Sequence, residues 1–237
     1  GAKRFHRVSF SLSPSFPSSV TGVSYPIHVY APAGYEESAR TYPVIYATDG
    51  QWVAESFSSM IAVKGKEVIL VAIEQGPGDR RATDYRLPGA RDYYRFLTTE
   101  LIPTVESLYR IDGDNRTICG TSYGGLLVGL ILFMERPESQ YFKNYLSFDG
   151  SFYQHQAATN ALEEERFQAS PTLDATLVLT SATRFPNNDA PVTQFRAKLE
   201  QRGYSGLTIV RRSYPVAHND IADPSFEEAL DILFPVE

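Results

Sequence analysis

Arg116-Thr117-Ile118-Cys119-Gly120-Thr121-Ser122-Tyr123-Gly124-Gly125 is the stretch on which the reading of this chain turns. A strand-like run, Arg116–Gly120, meets a glycine-rich turn, and Ser122–Arg136 continues as an apolar helix that stops at Pro137. A serine on so tight a strand-to-helix turn is held in a strained backbone conformation. That conformation lifts its hydroxyl clear of the sheet and aims the next amide N–H at the same point. Gly120 and Gly124 are required because side chains there would collide with the neighbouring strand or helix. The helix N-terminus adds a partial positive charge beside any oxyanion that develops. Ser122 is therefore a candidate nucleophile, and the strand before it and helix after it set it apart from an accidental glycine-rich turn.

Outward from this turn the pattern alternates between short β-rich runs and longer helical ones. Pro43–Thr48, Glu67–Ile73, Asn144–Phe148, Thr176–Thr180 and Leu207–Arg212 are compact strand-like runs, as expected of a parallel sheet covered on both faces. Asp92–Tyr109 carries Phe96, Leu97, Leu101, Val105 and Leu108 at helical spacing. Ala190–Arg202 ends at Gly203, and Ser225–Phe234 starts after Asp223-Pro224. At the N-terminal end, Phe5–Leu12 alternates as a strand, Pro14–Gly22 reads as a Ser/Pro-rich loop, and Val23–Ala31 reads as a second strand. Pro26 suits an edge, and the two strands are expected to pair antiparallel. The expected fold class is α/β: a mostly parallel sheet with antiparallel N-terminal edge strands and helices on both faces. No repeat or low-complexity linker divides the chain, so residues 1–237 are expected to form one domain, with a small cap-like insertion around 150–173.

The chain has 237 residues, enough to bury a core without disulfide or metal staples. Apolar residues make up 43% and charged ones 21%, which argues against long-range disorder. The net charge of −6, with no basic block, argues against binding a nucleic-acid backbone. Cys119 is the one cysteine, so no disulfide framework or cysteine-based zinc site is available within one chain. Apolar runs such as Leu126–Met134 are too short to span a bilayer. No signal peptide precedes the first strand-like run. Localisation stays open between cytoplasm and, if a leader has been removed, periplasm or exterior.

A serine nucleophile needs a base, and there are four histidines. His6 and His28 lie in early strands and read as surface or structural; His155 follows the Asn144–Phe148 strand and borders the expected pocket. His218, in the loop after the last strand, falls on the same sheet edge as the nucleophile turn and keeps the chain order Ser…acid…His. The acid is expected after Thr176–Thr180, where Asp189 is the only carboxylate of the 181–189 loop; the competing reading makes Asp189 the N-cap of the following helix. A Ser–His dyad is a third possibility. The Gln51 amide, in the Asp49-Gly50-Gln51-Trp52 turn, and the Tyr123 amide are candidate oxyanion donors. Asp49, Trp52 and Tyr153 are candidate substrate contacts; their bland alternatives are turn fixing for Asp49 and ordinary packing for Trp52.

Several segments, taken in order, now point to a family. They are Tyr42-Pro43-Val44-Ile45-Tyr46-Ala47-Thr48-Asp49-Gly50, Gly78-Asp79-Arg80-Arg81-Ala82-Thr83-Asp84-Tyr85, Leu97-Thr98-Thr99-Glu100-Leu101-Ile102-Pro103 with Tyr109-Arg110, then Gly120–Gly125, and Phe148-Asp149-Gly150-Ser151-Phe152. From about Val23 to His218 the chain resembles serine esterases of the α/β-hydrolase superfamily, in the group that holds esterase D, feruloyl and acetyl-xylan esterases, siderophore esterases and mycolyltransferases of antigen 85 type. The resemblance implies an α/β-hydrolase fold, Ser122 as nucleophile, His218 as base, and Gln51 and Tyr123 as oxyanion donors. It also implies that Arg81 lies near the ligand, with an Arg81–Asp84 ion pair as the competing reading.

The function expected is that of a serine carboxylic-ester hydrolase working through an acyl-enzyme, with no cofactor and no metal. Its partner would be a small-molecule ester, bulky in the manner of a siderophore or a feruloyl or acetyl carbohydrate ester. Acyl transfer at the same site, or binding without catalysis on the same scaffold, are the alternatives. Oligomeric state is not legible.

Overall fold

The computed structural model describes residues 5–8 and 15–236. Among them nine strands form one sheet: β1 (Phe5–Val8), β2 (Ser15–Pro17), β3 (Ser24–Pro32), β4 (Tyr42–Ala47), β5 (Ile69–Ile73), β6 (Ile111–Thr121), β7 (Asn144–Phe148), β8 (Thr172–Ala182) and β9 (Ser205–Tyr214). The helices are α1 (Gly50–Lys64), α2 (Arg81–Asp84), α3 (Gly89–Phe96), α4 (Ile102–Leu108), α5 (Tyr123–Met134), α6 (Gln156–Ala169), α7 (Asp189–Arg202) and α8 (Ala222–Leu233). The order across the sheet is β1-β3-β5-β4-β6-β7-β8-β9, with β2 also on β3. From β5 to β9 every pairing is parallel, and β3 pairs antiparallel with β1, β2 and β5. The chain turns back at β4, so β4 and β6 flank a topological switch point, where open α/β sheets leave a crevice at the strand C-terminal ends.

Side chains of one strand alternate between two cores. In β4, Val44 and Tyr46 join a cluster with Tyr93 and Phe96 of α3, Leu127 of α5, Leu162 of α6 and Phe195 of α7. Ile45 and Ala47 point the other way, into a cluster with Val53, Phe57 and Ile61 of α1 and Phe226 of α8. Both faces are thus covered, which is why β5 and β7 are buried along their whole length.

Five expectations change. Pro26 lies in β3, which is flanked on both sides rather than at an edge; its carbonyl accepts the Glu74 N–H just past the end of β5, so its missing donor falls where the ladder has ended. Part of the expected 14–22 loop forms β2, while the second half of the expected 5–12 strand lies outside the described residues. The helix expected over 92–109 begins at Gly89 and is interrupted by a wide turn, Leu97–Leu101, in which the Ile102 N–H bonds the Leu97 carbonyl. That turn makes room for Pro103, which has no N–H and would press on the carbonyl of Thr99 in a regular helix. Leu108, counted towards the core, is exposed. The segment around 150–173 carries α6, whose Leu162 faces the core with α5 and whose buried Glu163 accepts Arg202 and Tyr204; it packs on the sheet layer rather than over the cleft.

Candidate active site

Ser122 lies between β6 and α5 as the N-cap of that helix, with φ 63° and ψ −119°. Its N–H bonds the Phe148 carbonyl at 3.0 Å, which ties the turn to the next strand. The glycine requirement is steric: a Cβ on Gly120 would stand 2.2 Å from the Gly124 carbonyl oxygen, and one on Gly124 would stand 2.6 Å from Thr48 Oγ1. The hydroxyl of Ser122 is left facing a cleft of about 760 Å³.

His218 follows β9, and its backbone N–H is fixed by the Pro186 carbonyl at 2.8 Å. Its Nε2 lies 2.9 Å from Ser122 Oγ, and its Nδ1 lies 2.5 Å from Asp149 Oδ2. Asp149 directly follows β7, with φ 45°, and is completely buried. Its Oδ1 accepts the amides of Ala182 at 3.2 Å and Asn188 at 3.1 Å, so the carboxylate is solvated by fixed donors instead of water. Register explains the meeting: Thr121 of β6 stands beside Phe148 of β7, so Ser122 and Asp149 leave adjacent strands at the same height.

Asp189 is therefore not the partner of His218. It opens α7, one sheet position farther from Ser122, and its Oδ1 takes Ser181 Oγ at 2.5 Å and Arg211 Nη2 at 3.0 Å. Nor is it the N-cap, which is Asn188. A signal for Asp149 was present: it lies in Phe148-Asp149-Gly150, at the end of the strand after the nucleophile helix, and keeps the order Ser…Asp…His. What was missing was the pairing of β7 directly against β6.

Gln51, expected in a turn, lies in the first turn of α1, and Tyr123 lies in the first turn of α5; amides at these positions have no acceptor within the helix. β4 and β6 are neighbours with Ala47 beside Cys119, so these two helix N-termini stand together at the sheet edge. Gly50 permits this, since a Cβ there would lie 2.9 Å from the backbone of Ala72 and Ile73. The Gln51 side chain turns away to accept the Gln75 amide at 3.0 Å.

Asp49, Trp52, Arg81, Ser122 and His218 line the cleft, together with Asn219, Asp220 and Asp223. Arg81 grips Asp49 through Nε at 2.9 Å and Nη2 at 3.0 Å. Burial pushes the Asp49 carboxyl above the usual carboxylate range, against the pull of Arg81. The guanidinium also lies 5.2 Å from the Trp52 ring centroid and 5.1 Å from that of Tyr123. The alternative Arg81–Asp84 pair does not form; Asp84 takes Arg80 and the Tyr25 hydroxyl. Trp52 is 63% exposed at the mouth. Tyr153 is exposed too, but it is not among the residues that line the cleft. His155 caps the start of α6, and His28 meets Glu74 at 2.5 Å away from the cleft lining. Among the described residues no group of three or more His, Cys, Asp and Glu is placed to hold a metal ion, and no helix is long and apolar enough to cross a membrane.

The chain is 27% identical over 143 residues to the ferri-bacillibactin esterase BesA of Bacillus subtilis, a match covering 47% of this chain and 48% of that protein. The chain thus spans about half the length of that relative. Among solved structures, an IroE-like serine hydrolase from Shewanella oneidensis superposes with a TM-score of 0.81 at 23% identity, over 93% of this chain and 78% of that one. The siderophore hydrolase EstA from Aspergillus nidulans superposes with a TM-score of 0.76 at 18% identity, over 97% and 93%. At such identities the superpositions speak for the fold, which is the α/β fold of those hydrolases. The family model described as "Putative esterase" matches residues 18–198, and the chain belongs to that family.

Proposed function

We propose that the chain is a serine carboxylic-ester hydrolase in which Ser122 is the nucleophile, His218 the general base and Asp149 the acid. The observation that carries this reading is His218 standing between the other two, within bonding distance of Ser122 Oγ on one side and Asp149 Oδ2 on the other. Ser122 Oγ attacks the ester carbonyl while Nε2 of His218 takes its proton. Asp149 holds the Nδ1–H tautomer and stabilises the imidazolium. The tetrahedral oxyanion is held by the amides of Tyr123 and Gln51, at the positive ends of α5 and α1. His218 then protonates the leaving alcohol, and the acyl group rests on Ser122. Water gives its proton to the same histidine, attacks the acyl carbon, and releases the acid and free Ser122.

The substrate class proposed is a bulky ester of the siderophore kind. Support comes from a cleft of about 760 Å³, within the range of drug-sized ligand sites, and from the exposed Trp52 at its mouth. The likeness to a ferri-bacillibactin esterase points the same way. Asp49, Trp52 and Arg81 would meet the portion of the substrate outside the scissile bond. The test has two parts. A fluorophosphonate should label the protein at Ser122, located by peptide mass spectrometry. Ferri-bacillibactin should then be opened to its hydrolysed products, at a rate compared with p-nitrophenyl butyrate. Labelling without siderophore hydrolysis would keep the esterase and remove the substrate class.

A further inference from the structure

The loop between β8 and α7, where the acid was expected, holds both the acid and the base without contributing a carboxylate to either. Its Pro186 carbonyl fixes the His218 N–H at 2.8 Å, and its Arg184 N–H bonds the Val216 carbonyl at 3.0 Å. At its end, Asn188 reaches Asp149 through two groups. Its backbone N–H lies 3.1 Å from Oδ1 and 3.3 Å from Oδ2, and its side-chain Nδ2 donates to the Asp149 backbone oxygen at 2.9 Å. Asp149 needs such a hold. It sits at φ 45°, uncommon for a residue with a Cβ although aspartate tolerates it better than most, and it is completely buried. Asn188 is also the N-cap of α7, yet its side chain makes no cap bond. The side chain of the usual capping residue has been spent on Asp149.

We propose that Asn188 is a positioning residue, whose side-chain amide fixes the backbone of Asp149 so that its carboxylate meets His218. This rests on the triad reading above. Asn188 touches no reacting atom and acts through Asp149.

Two variants separate positioning from helix capping. Asp caps a helix as well as Asn does, but a carboxylate cannot donate to the Asp149 carbonyl. Asn188→Asp should therefore remain folded, as judged by near-UV circular dichroism. It should lower kcat on p-nitrophenyl butyrate about tenfold to a hundredfold, with KM within about twofold. Asn188→Ala should lose kcat by a similar factor. Wild-type kcat in either variant, or a kcat loss in Asn188→Asp that comes with loss of the folded signal, would overturn the proposal. Fluorophosphonate labelling of the wild type keeps the two readings apart. A labelled wild type with an unimpaired Asn188→Asp removes Asn188 alone, whereas an unlabelled wild type removes the serine-hydrolase reading and this inference with it.

Discussion

Asp149 Oδ2 and His218 Nδ1 meet at 2.5 Å although 69 residues separate them in the chain. The contact exists because β7 lies next to β6, and because the loop after β9 folds back over the ends of both. Replacing Asp149 by Asn keeps the shape but presents the wrong hydrogen-bond pattern to the imidazole. The D149N variant should lose about 10⁴-fold in kcat on a p-nitrophenyl ester. The D189N variant should stay within a few-fold of wild type, since Asp189 bonds Ser181 and Arg211. The reverse ranking would return the acid role to Asp189.

The Asp49–Arg81 pair makes a stability prediction. Asp49 is 3% exposed with Arg81 in place, so removing Arg81 leaves a largely buried charge without its ionic partner. The R81A variant should be destabilised by about 3–5 kcal/mol, read from urea unfolding. Adding D49N to it should restore part of the loss by removing the stranded charge. A double variant no more stable than R81A would contradict this.

Gly120 makes a steric one. The atom that an added Cβ would meet at 2.2 Å is a backbone carbonyl oxygen of α5, which cannot swing aside as a side chain would. The G120A variant should lose about 2–3 kcal/mol, of the order expected for overpacking. In a chain of this length that is a fall of about 5–10 °C in Tm. An unchanged Tm would mean that the turn is more yielding than its contacts suggest.

Glu135 supplies a pH dependence. It is 1% exposed and accepts the hydroxyls of Tyr94 and Tyr145 and the amides of Tyr141 and Phe142. Burial pushes its carboxyl above the usual glutamate range, in spite of those four donors. A carboxyl raised in the folded state contributes stability that is complete below its unfolded value and is lost as pH climbs through the folded one. Gln at this position does not titrate, and its amide nitrogen would face a backbone N–H, at a cost of about 1–3 kcal/mol. The stability gap between wild type and E135Q should therefore be wider at pH 4 than at pH 7. Chemical unfolding at the two pH values checks this, and a gap that widens towards pH 7 would reverse the sign of the account.

The parts of this molecule that were legible in the sequence are those that local chemistry dictates. Asn144–Phe148 is a strand over the expected residues, because a continuous buried run bounded by polar turns has few other uses. Ser122 and His218, which stand 2.9 Å apart, were legible as candidates for the same reason: one sits on a turn whose glycines are sterically forced, and the other follows the last strand. Asp149 needed tertiary knowledge. Whether the carboxylate that meets His218 leaves β7 or β8 depends on which strand lies against β6, and no local pattern carries that. The helix α1 was not legible as a helix at all, although Val53, Phe57 and Ile61 recur at helical spacing on its buried side. Pro26 misled because its missing N–H matters only where a partner strand continues, and β5 ends there.

The central claim is that Ser122, activated by His218, attacks an ester. Hydrolysis of a p-nitrophenyl ester series, acetate to palmitate, by wild type and by S122A tests it most directly. The account predicts turnover by the wild type and a loss of at least about 10³-fold in S122A, with the folded state retained. Equal turnover by the two proteins would contradict it, because the hydroxyl that His218 faces at 2.9 Å would then have no part in the reaction.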